Sequence, residues 1–547
     1  MQDYQKIYSY HTFLLPFTWA REKWGDIHSF FQKKQSNIAD DEPNAGQPKS
    51  CWNCLDDEFH ELLKNKSNLD IKQKYGQDFY MEFQFFNEAS RHILYNYQNS
   101  NMVHNYEIRP ELLTDACYEI QVGEDVYVIK LDRIRLKIFN TGIAVFYMDC
   151  SNREPNQFSL KAVKAINEYG RRISLSFWPD KTGYKKCADC LRITGWEGAQ
   201  KENMEDDFRQ FIAEAEKDTA SYISLTYISK IIRSFLNLNE QGVKFRAKDT
   251  DSAGQTQLKT EDAAKQIRIW PILDGKMYVS CLIVEPAFMG ELQESYCEEE
   301  NCFREKETQA LVELINVDLD GECSIAGQNA RGELLQEALY LNHFSNRAKQ
   351  NRVLAITADS CIKIIETENY EIAYHTQIYN QLLIFGLIQR MAIVNFQQEV
   401  AKISYGIEKP DYKLTNRLIF KIMELQERFV AFESQFMLSE VTPQREGQYI
   451  YRRIREVLAI EQEQNNLSNS LSSLYELANI NQGYGFNKGA LIISVIALVY
   501  AMFTGLVDAS DVVELFGNGY SGYPVIAIEW GLIALCIFVI MKCIYRK

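Results

Sequence analysis

The chain has no excess of positive charge. Its 59 Lys+Arg stand against 74 Asp+Glu, giving a formal charge of −15 and a pI near 5.2. A surface that gripped duplex nucleic acid over most of its extent would carry the opposite sign, so direct nucleic-acid binding is not expected beyond a local basic patch. Also absent are a Gly-Lys-Ser/Thr phosphate loop, Gly-x-Gly-x-x-Gly, His-Glu-x-x-His and Gly-x-Ser-x-Gly. Histidine is scarce, seven in 547 residues, and His343 and His375 sit in helical or mixed patterns that read as structural. No catalytic constellation can be assembled, so an enzyme is not expected. The first residues, MQDYQKIYSY, lack a basic stretch followed by an apolar one, so no signal peptide is expected. What is present excludes two further classes. A hydrophobic content of 46% with 12% aromatics rules out wholesale disorder, and the length rules out a small disulfide-stapled scaffold.

Two long apolar runs stand at the end of the chain. Gly489 to Val507 reads GALIISVIALVYAMFTGLV without a charge. At 1.5 Å per residue it makes a helix of about 28 Å, enough for a hydrocarbon core of roughly 30 Å. Pro524 to Met541 forms a second run with one acid, Glu529, which would face protein, water or the interface. Lys488 precedes the first run, and Lys542, Arg546 and Lys547 follow the second. The connecting segment carries Asp508, Asp511 and Glu514 and no cation. The positive-inside rule then gives a multi-pass inner-membrane hairpin with N- and C-termini cytoplasmic. The bulk of the chain would sit in a reducing compartment, so disulfides are not expected.

The pattern ahead of the hairpin divides in three. Residues 1–115 read as a mostly helical region with a polar linker at 36–50. Residues 116–365 read as an α+β cytosolic sensor domain: three antiparallel strands from Cys117 to Cys150, turning at Gly123-Glu124-Asp125 and Asn140-Thr141-Gly142. A helix over 157–170, a strand RRISLSFW, a polar loop over 239–266, and strands over 267–285 and 353–365 follow. Residues 366–486 read as a long helical stalk in segments 368–404, 413–440 and 445–481, the last interrupted by EQEQNNLSNS and continuing toward the first uncharged run. Residues 487–547 hold the hairpin, its short outer loop and a basic tail.

This layout resembles the CorA family of two-transmembrane divalent-cation channels: a cytosolic α/β domain, long stalk helices, a C-terminal transmembrane hairpin and a basic tail. The match covers about the last 180 residues by pattern. The Gly-Met-Asn of those channels is missing; Thr504-Gly505-Leu506-Val507-Asp508 stands at the outer end of the first run, and Phe516-Gly517-Asn518-Gly519 follows in the loop. In this and in its enlarged N-terminal part the chain is similar to the divergent CorA-like membrane effectors that accompany type III CRISPR systems. That resemblance implies an antiviral homopentamer in the lipid bilayer, opened by a nucleotide second messenger joining S-adenosylmethionine to AMP. Two alternatives stay open, a Mg/Co divalent-cation transporter and a membrane-anchored nucleotide sensor without a defined pore.

Three sets of residues are candidates for chemistry. Asn487, Leu491, Ser494, Leu498 and Gly505 fall on one helical face, a pore lining with a polar mouth and an apolar constriction, or else a helix-packing face. Cys51-x-x-Cys54 and Cys187-x-x-Cys190 have the spacing of thiolate pairs for one structural zinc, provided the fold brings together pairs 133 residues apart; unrelated reduced thiols are the alternative. Arg171, Arg172, Ser176, Trp178 and Lys181 concentrate cations, a hydroxyl and an indole on one stretch. These suit a small nucleotide ligand, with arginine taking phosphate and tryptophan stacking a purine, or else form a solvated strand end. Asn152-Arg153 is a further loop candidate.

Overall fold

The computed structural model describes residues 7–20, 51–56, 80–173, 187–197, 204–210, 229–236, 268–271, 276–297, 302–303, 305–317, 339–343, 352–367, 371–407 and 416–479. The chain divides into two compact units. One comprises residues 1–398 and 430–466, the other 399–429 and 467–547.

The first unit is built on a sheet of thirteen strands. In chain order these are β1 (Ser9–Ala20), β2 (Trp52–Cys54), β3 (Val103–Ile108), β4 (Cys117–Val122), β5 (Asp125–Phe139), β6 (Ile143–Asn152), β7 (Cys190–Thr194), β8 (Glu205–Asp207), β9 (Arg268–Pro271), β10 (Tyr278–Val284), β11 (Leu339–His343), β12 (Arg352–Ile356) and β13 (Ser360–Ile365). The spatial order is β11-β12-β13-β10-β1-β6-β5-β4-β7-β8, with β9 beside β1, β3 beside β5 and β2 beside β3. Only β10 and β13 run parallel; the other neighbours are antiparallel. Helices α1 (Glu88–Tyr95), α2 (Leu160–Gly170), α3 (Lys230–Phe235), α4 (Pro286–Ser295) and α5 (Glu305–Asn316) are inserted between strands. After β13 come a π-turn (Tyr374–Tyr379), α6 (Asn380–Ile407), α7 (Asn416–Phe436), α8 (Arg445–Val457) and α9 (460–479).

Strand β5 shows how the sequence chooses its faces. Apolar residues keep period two through Ile129 and Leu131, then resume out of phase at Ile134, Leu136 and Ile138. The register shift between Leu131 and Arg133 absorbs the extra residue as a bulge, so all five reach the same core. That core also takes Phe13 and Leu15 of β1, Phe146 and Met148 of β6, and the inner sides of α2, α4 and α5. The opposite face of β5 carries Arg133, Arg135 and Lys137. Arg133 pairs with Asp149 at 3.1 Å and Arg135 with Glu107 at 2.9 Å. Lys137 donates to Leu94 O of α1 and Asn105 Oδ1 at 2.7 and 2.9 Å, and burial pushes its ammonium down to about 7. One face of the sheet is therefore hydrocarbon, and the other is a buried ladder of satisfied charges.

The three strands expected between Cys117 and Cys150 are β4, β5 and β6, and Gly123 and Gly142 supply the positive φ of their turns (63° and 83°). The helix expected over 157–170 is α2, capped by Ser159, whose hydroxyl accepts from Ala162 N at 3.2 Å. The described part of residues 1–115 supplies both β1, β2 and β3 and helix at 80–85 and in α1; the rest of the region expected to be mostly helical lies outside the described residues. Strand β1 lies mid-sheet, hydrogen-bonded to β6 on one side and to β10 and β9 on the other. Its segment YHTFLLPFTW is apolar on both sides, as a central strand requires, so its periodicity alone does not distinguish it from a buried helix.

The polar stretch that interrupts the apolar pattern of the last stalk segment does not end the helix, and the possible break at Gly483-Tyr484-Gly485 lies outside the described residues. EQEQNNLSNS is helical within α9, because its Glu, Gln and Asn side chains stay on the solvated side while Leu467 and Leu471 are buried. Within the segment the helix breaks at Leu458-Ala459, where Ala459 takes a left-handed φ of 51°. Gly386 of α6 lets α8 approach closely, since a Cβ there would clash with Ile454 Cγ2. In the second unit, Ile419 and Ile422 of α7 pack with Ala478 of α9, flanked by Ile403 and Leu474. Arg428 grips Glu399 there through two hydrogen bonds of 2.9 and 3.1 Å. Among the described residues no helix is long and apolar enough to cross a membrane; both apolar runs at the end of the chain lie outside them.

Candidate functional site

Two buried charge clusters stand out in the sheet unit. The first forms where α2 ends. Gly170 is the last residue of the helix, where a Cβ would lie 2.8 Å from Ile120 Cδ1, and Arg171 and Arg172 follow. Both guanidiniums reach back to one carboxylate, Glu168. Arg171 Nη2 donates to Glu168 Oε2 at 3.0 Å, and Arg172 Nη2 binds Glu168 Oε1. Arg171 Nη2 also donates to Val317 O, just past the end of α5, at 3.1 Å. Met277 N donates to Arg171 O at 2.8 Å, stitching the cluster to the start of β10, where Lys276 faces Asp359 at 3.4 Å. The turn between β12 and β13 closes this end, with Thr357 Oγ1 donating to Ile315 O at 3.3 Å.

Two cations thus share one carboxylate. The carbonyl ends of α2 and α5 add partial negative charge, which helps to tolerate the surplus. Burial pulls the Arg171 guanidinium below the ordinary arginine range, against the opposing pull of Glu168. Arg171 is 3% exposed, and its Nε and Nη1 have no hydrogen-bond partner among the described residues. Buried N–H groups of a charged side chain are costly without acceptors, so these nitrogens suit an oxyanion or water.

The second cluster lies between β12, β13, the π-turn and α8. Lys363 of β13, 1% exposed, pairs with Glu371. Arg352 of β12 reaches Glu371 at 2.5 Å and Glu446 of α8 at 3.3 Å. Tyr379 OH donates to Glu446 Oε1 at 2.7 Å, and Lys363 Nζ lies 4.5 Å from the Tyr379 ring centroid. Two cations face two carboxylates. Burial alone would raise the Glu371 carboxyl, but Lys363 and Arg352 outweigh it and hold it below the usual range. Burial lowers Lys363 despite Glu371. His375 hydrogen-bonds Ser280 Oγ at 3.1 Å, and burial together with nearby Lys363 keeps it well below the ordinary histidine range. The earlier reading of His375 as structural agrees with this packing.

Lys363, Glu371, Arg352 and Glu446 belong to no motif of the sequence. The available signal was Lys363 itself, a lone cation in the apolar strand SCIKII. Of the ligand candidates, Arg171 and Arg172 are brought together, but as buried ion-pair members rather than on an open strand. Ser176, Trp178 and Lys181 lie outside the described residues, as do Asn487, Leu491, Ser494, Leu498, Gly505 and Glu529. Asn140-Thr141-Gly142 is the β5–β6 turn. Asn152 Nδ2 donates to Gln157 O at 3.1 Å, and Arg153 pairs with Asp132 at 2.7 Å, so both serve local structure.

The expectation of one zinc held by Cys51, Cys54, Cys187 and Cys190 is corrected by the sheet register. Cys54 pairs with Tyr106, which pairs with Leu136 of β5. Cys190 pairs with Gln121, which pairs with Val126 of β5. Ten residues of β5 separate those levels, roughly 33 Å at 3.3 Å per residue, so the two pairs cannot share an ion. Cys190 Sγ instead contacts Glu205 Oε1 at 3.1 Å, and burial pushes its thiol up to about 12. Among the described residues no group of three or more His, Cys, Asp or Glu is placed to hold a metal ion.

No protein-family model matches the chain, and no curated protein matches it. Among solved structures it is similar to the CorA magnesium transporter from Methanocaldococcus jannaschii at 12% identity, over 50% of this chain and 91% of that one. The TM-score of 0.16 is too low to establish a shared fold.

Proposed function

We propose that the chain is a CorA-like membrane channel effector of type III CRISPR antiviral defence. A nucleotide messenger of the S-adenosylmethionine–AMP type opens it from the cytosolic side and permeabilises the inner membrane. It acts without catalysis, as a homopentamer in the lipid bilayer. The observation that carries the reading is the order of parts along the chain. A large mixed sheet unit leads into long helices, and the last of these, α9, is described as far as residue 479, ten residues before the uncharged run that begins at Gly489. A helix that connects a ligand-binding unit to a membrane span is the element through which a cytosolic movement reaches a pore. The ligand opens the channel only through a higher affinity for the open form.

Within the sheet unit, Arg171 is the described residue that best suits the messenger's phosphate: its Nε and Nη1 have no acceptor among the described residues. The test is full-length protein in liposomes holding a fluorescent ion reporter. Leakage on adding the S-adenosylmethionine–AMP conjugate, and none without it, is the expected result. Leakage that ignores the ligand, or tight vesicles in its presence, overturns the proposal.

A further inference from the structure

Between α4 and α5 the chain makes a small hairpin apart from the large sheet. Tyr296–Cys297 runs antiparallel to Cys302–Phe303, with Tyr296 opposite Phe303 and Cys297 opposite Cys302. Directly opposed residues of an antiparallel pair hold their Cα atoms about 4.5–5.5 Å apart. Disulfides span Cα separations of roughly 4.4–6.8 Å, so this register presents two cysteines at bridging distance without movement of the backbone. The hairpin directly follows α4 and precedes α5, the helix whose C-terminal end supplies Val317 O to Arg171.

We infer that Cys297 and Cys302 are a reversible thiol–disulfide pair, a modification site that clamps the connection between α4 and α5. In a reducing compartment the pair rests as two thiols and closes when a small-molecule disulfide accumulates. One thiolate attacks a sulfur of the disulfide RSSR, forming a protein mixed disulfide and releasing one RS⁻. The second thiolate then attacks the protein sulfur of that mixed disulfide, closes the bridge and expels the second RS⁻. The two protons of the protein thiols end on the two released RSH. The protein is oxidised by two electrons and RSSR is reduced by two. Glu298, Glu299 and Glu300 lie between the cysteines in the chain. Their charge attracts a cationic disulfide such as cystamine and repels anionic oxidised glutathione, an effect that salt screens.

The test treats full-length protein with cystamine, alkylates the remaining thiols and digests after glutamate, which cuts the chain between the two cysteines. The expected product is a pair of peptides joined through Cys297 and Cys302, lighter by two hydrogen atoms than the reduced pair and separated by reductant. Cystamine should close it several-fold faster than oxidised glutathione at low salt, with the gap shrinking as salt rises. In Cys302→Ser, Cys297 should retain a single cysteamine adduct, and Cys297→Ser should leave one on Cys302. Alkylation of both cysteines after oxidation, separate adducts on each in the unaltered chain, or a bridge from either to Cys281 overturns the inference. The readout is mass alone, so it stands or falls apart from channel activity.

Discussion

The two buried charge clusters use the same residue types and reach different states of completion. At β12, β13 and α8, Lys363 and Arg352 face Glu371 and Glu446, and Tyr379 adds both a hydrogen bond and a ring face. At the end of α2, Arg171 and Arg172 share Glu168, and two nitrogens of Arg171 find no acceptor among the described residues. A closed cluster of matched charges rigidifies the joint between sheet and helices. An open one keeps donors in reserve. The difference teaches where to look for a ligand: buried charge by itself marks structure, whereas buried charge with unmet hydrogen bonds marks a place that something else can complete.

The largest expected effect comes from breaking the closed cluster. Glu371→Gln leaves Lys363 and Arg352 buried with only Glu446 between them, and should cost about 3–5 kcal/mol of stability. Thermal or denaturant unfolding of the full chain in detergent measures it. A loss under about 1 kcal/mol would mean that the cluster is not the rigid joint described.

Acid should expose the same cluster next. His375 is neutral in the fold because its value lies below the ordinary 6.5, while the unfolded chain takes up a proton near that pH. The folded state then binds fewer protons, so the stability that His375 permits is present above pH 6.5 and is lost as pH falls below it. Its share is at most about 1.4 kcal/mol per pH unit. His375→Gln should flatten that part of the stability profile; an unchanged slope would show that the imidazole does not titrate in this way.

The smallest stability effect is expected at the open cluster. Arg171→Met removes two donors without acceptors but also the bonds of Nη2 to Glu168 and Val317 O, and it leaves Arg172 paired with Glu168, so stability should fall by about 1 kcal/mol, well short of the Glu371→Gln loss. The same variant should lose leakage triggered by the messenger. A loss of several kcal/mol would make Arg171 as structural as Lys363, and full leakage would remove it from the ligand site.

Much of the sheet was legible in the chain. Alternation over Cys117–Cys150, the phase slip at Asp132 and glycines at positions 123 and 142 lead directly to β4, β5 and β6, because pleat and turn are local properties. Strand β1 was not legible, since a strand apolar on both sides has no period to read. The candidate site was half legible. Arg171 and Arg172 were visible as neighbouring cations, but Glu168 as their shared partner depends on the end of α2, and the open nitrogens depend on everything packed around it.

The two Cys-x-x-Cys pairs make the same point in reverse. Spacing within each pair is a local fact that permits a metal. Whether two pairs meet is set by register, and β5 holds their levels ten residues apart. By itself the sequence determined the acidic balance, the apolar runs at its end and the alternating faces of its middle strands, because charge, hydropathy and period are carried by neighbouring residues. Only the tertiary structure decided which charges close on one another, which donors stay open, and that Cys297 stands opposite Cys302. Those relations join residues across strands and helices through backbone hydrogen bonds and packing, and no local pattern specifies them.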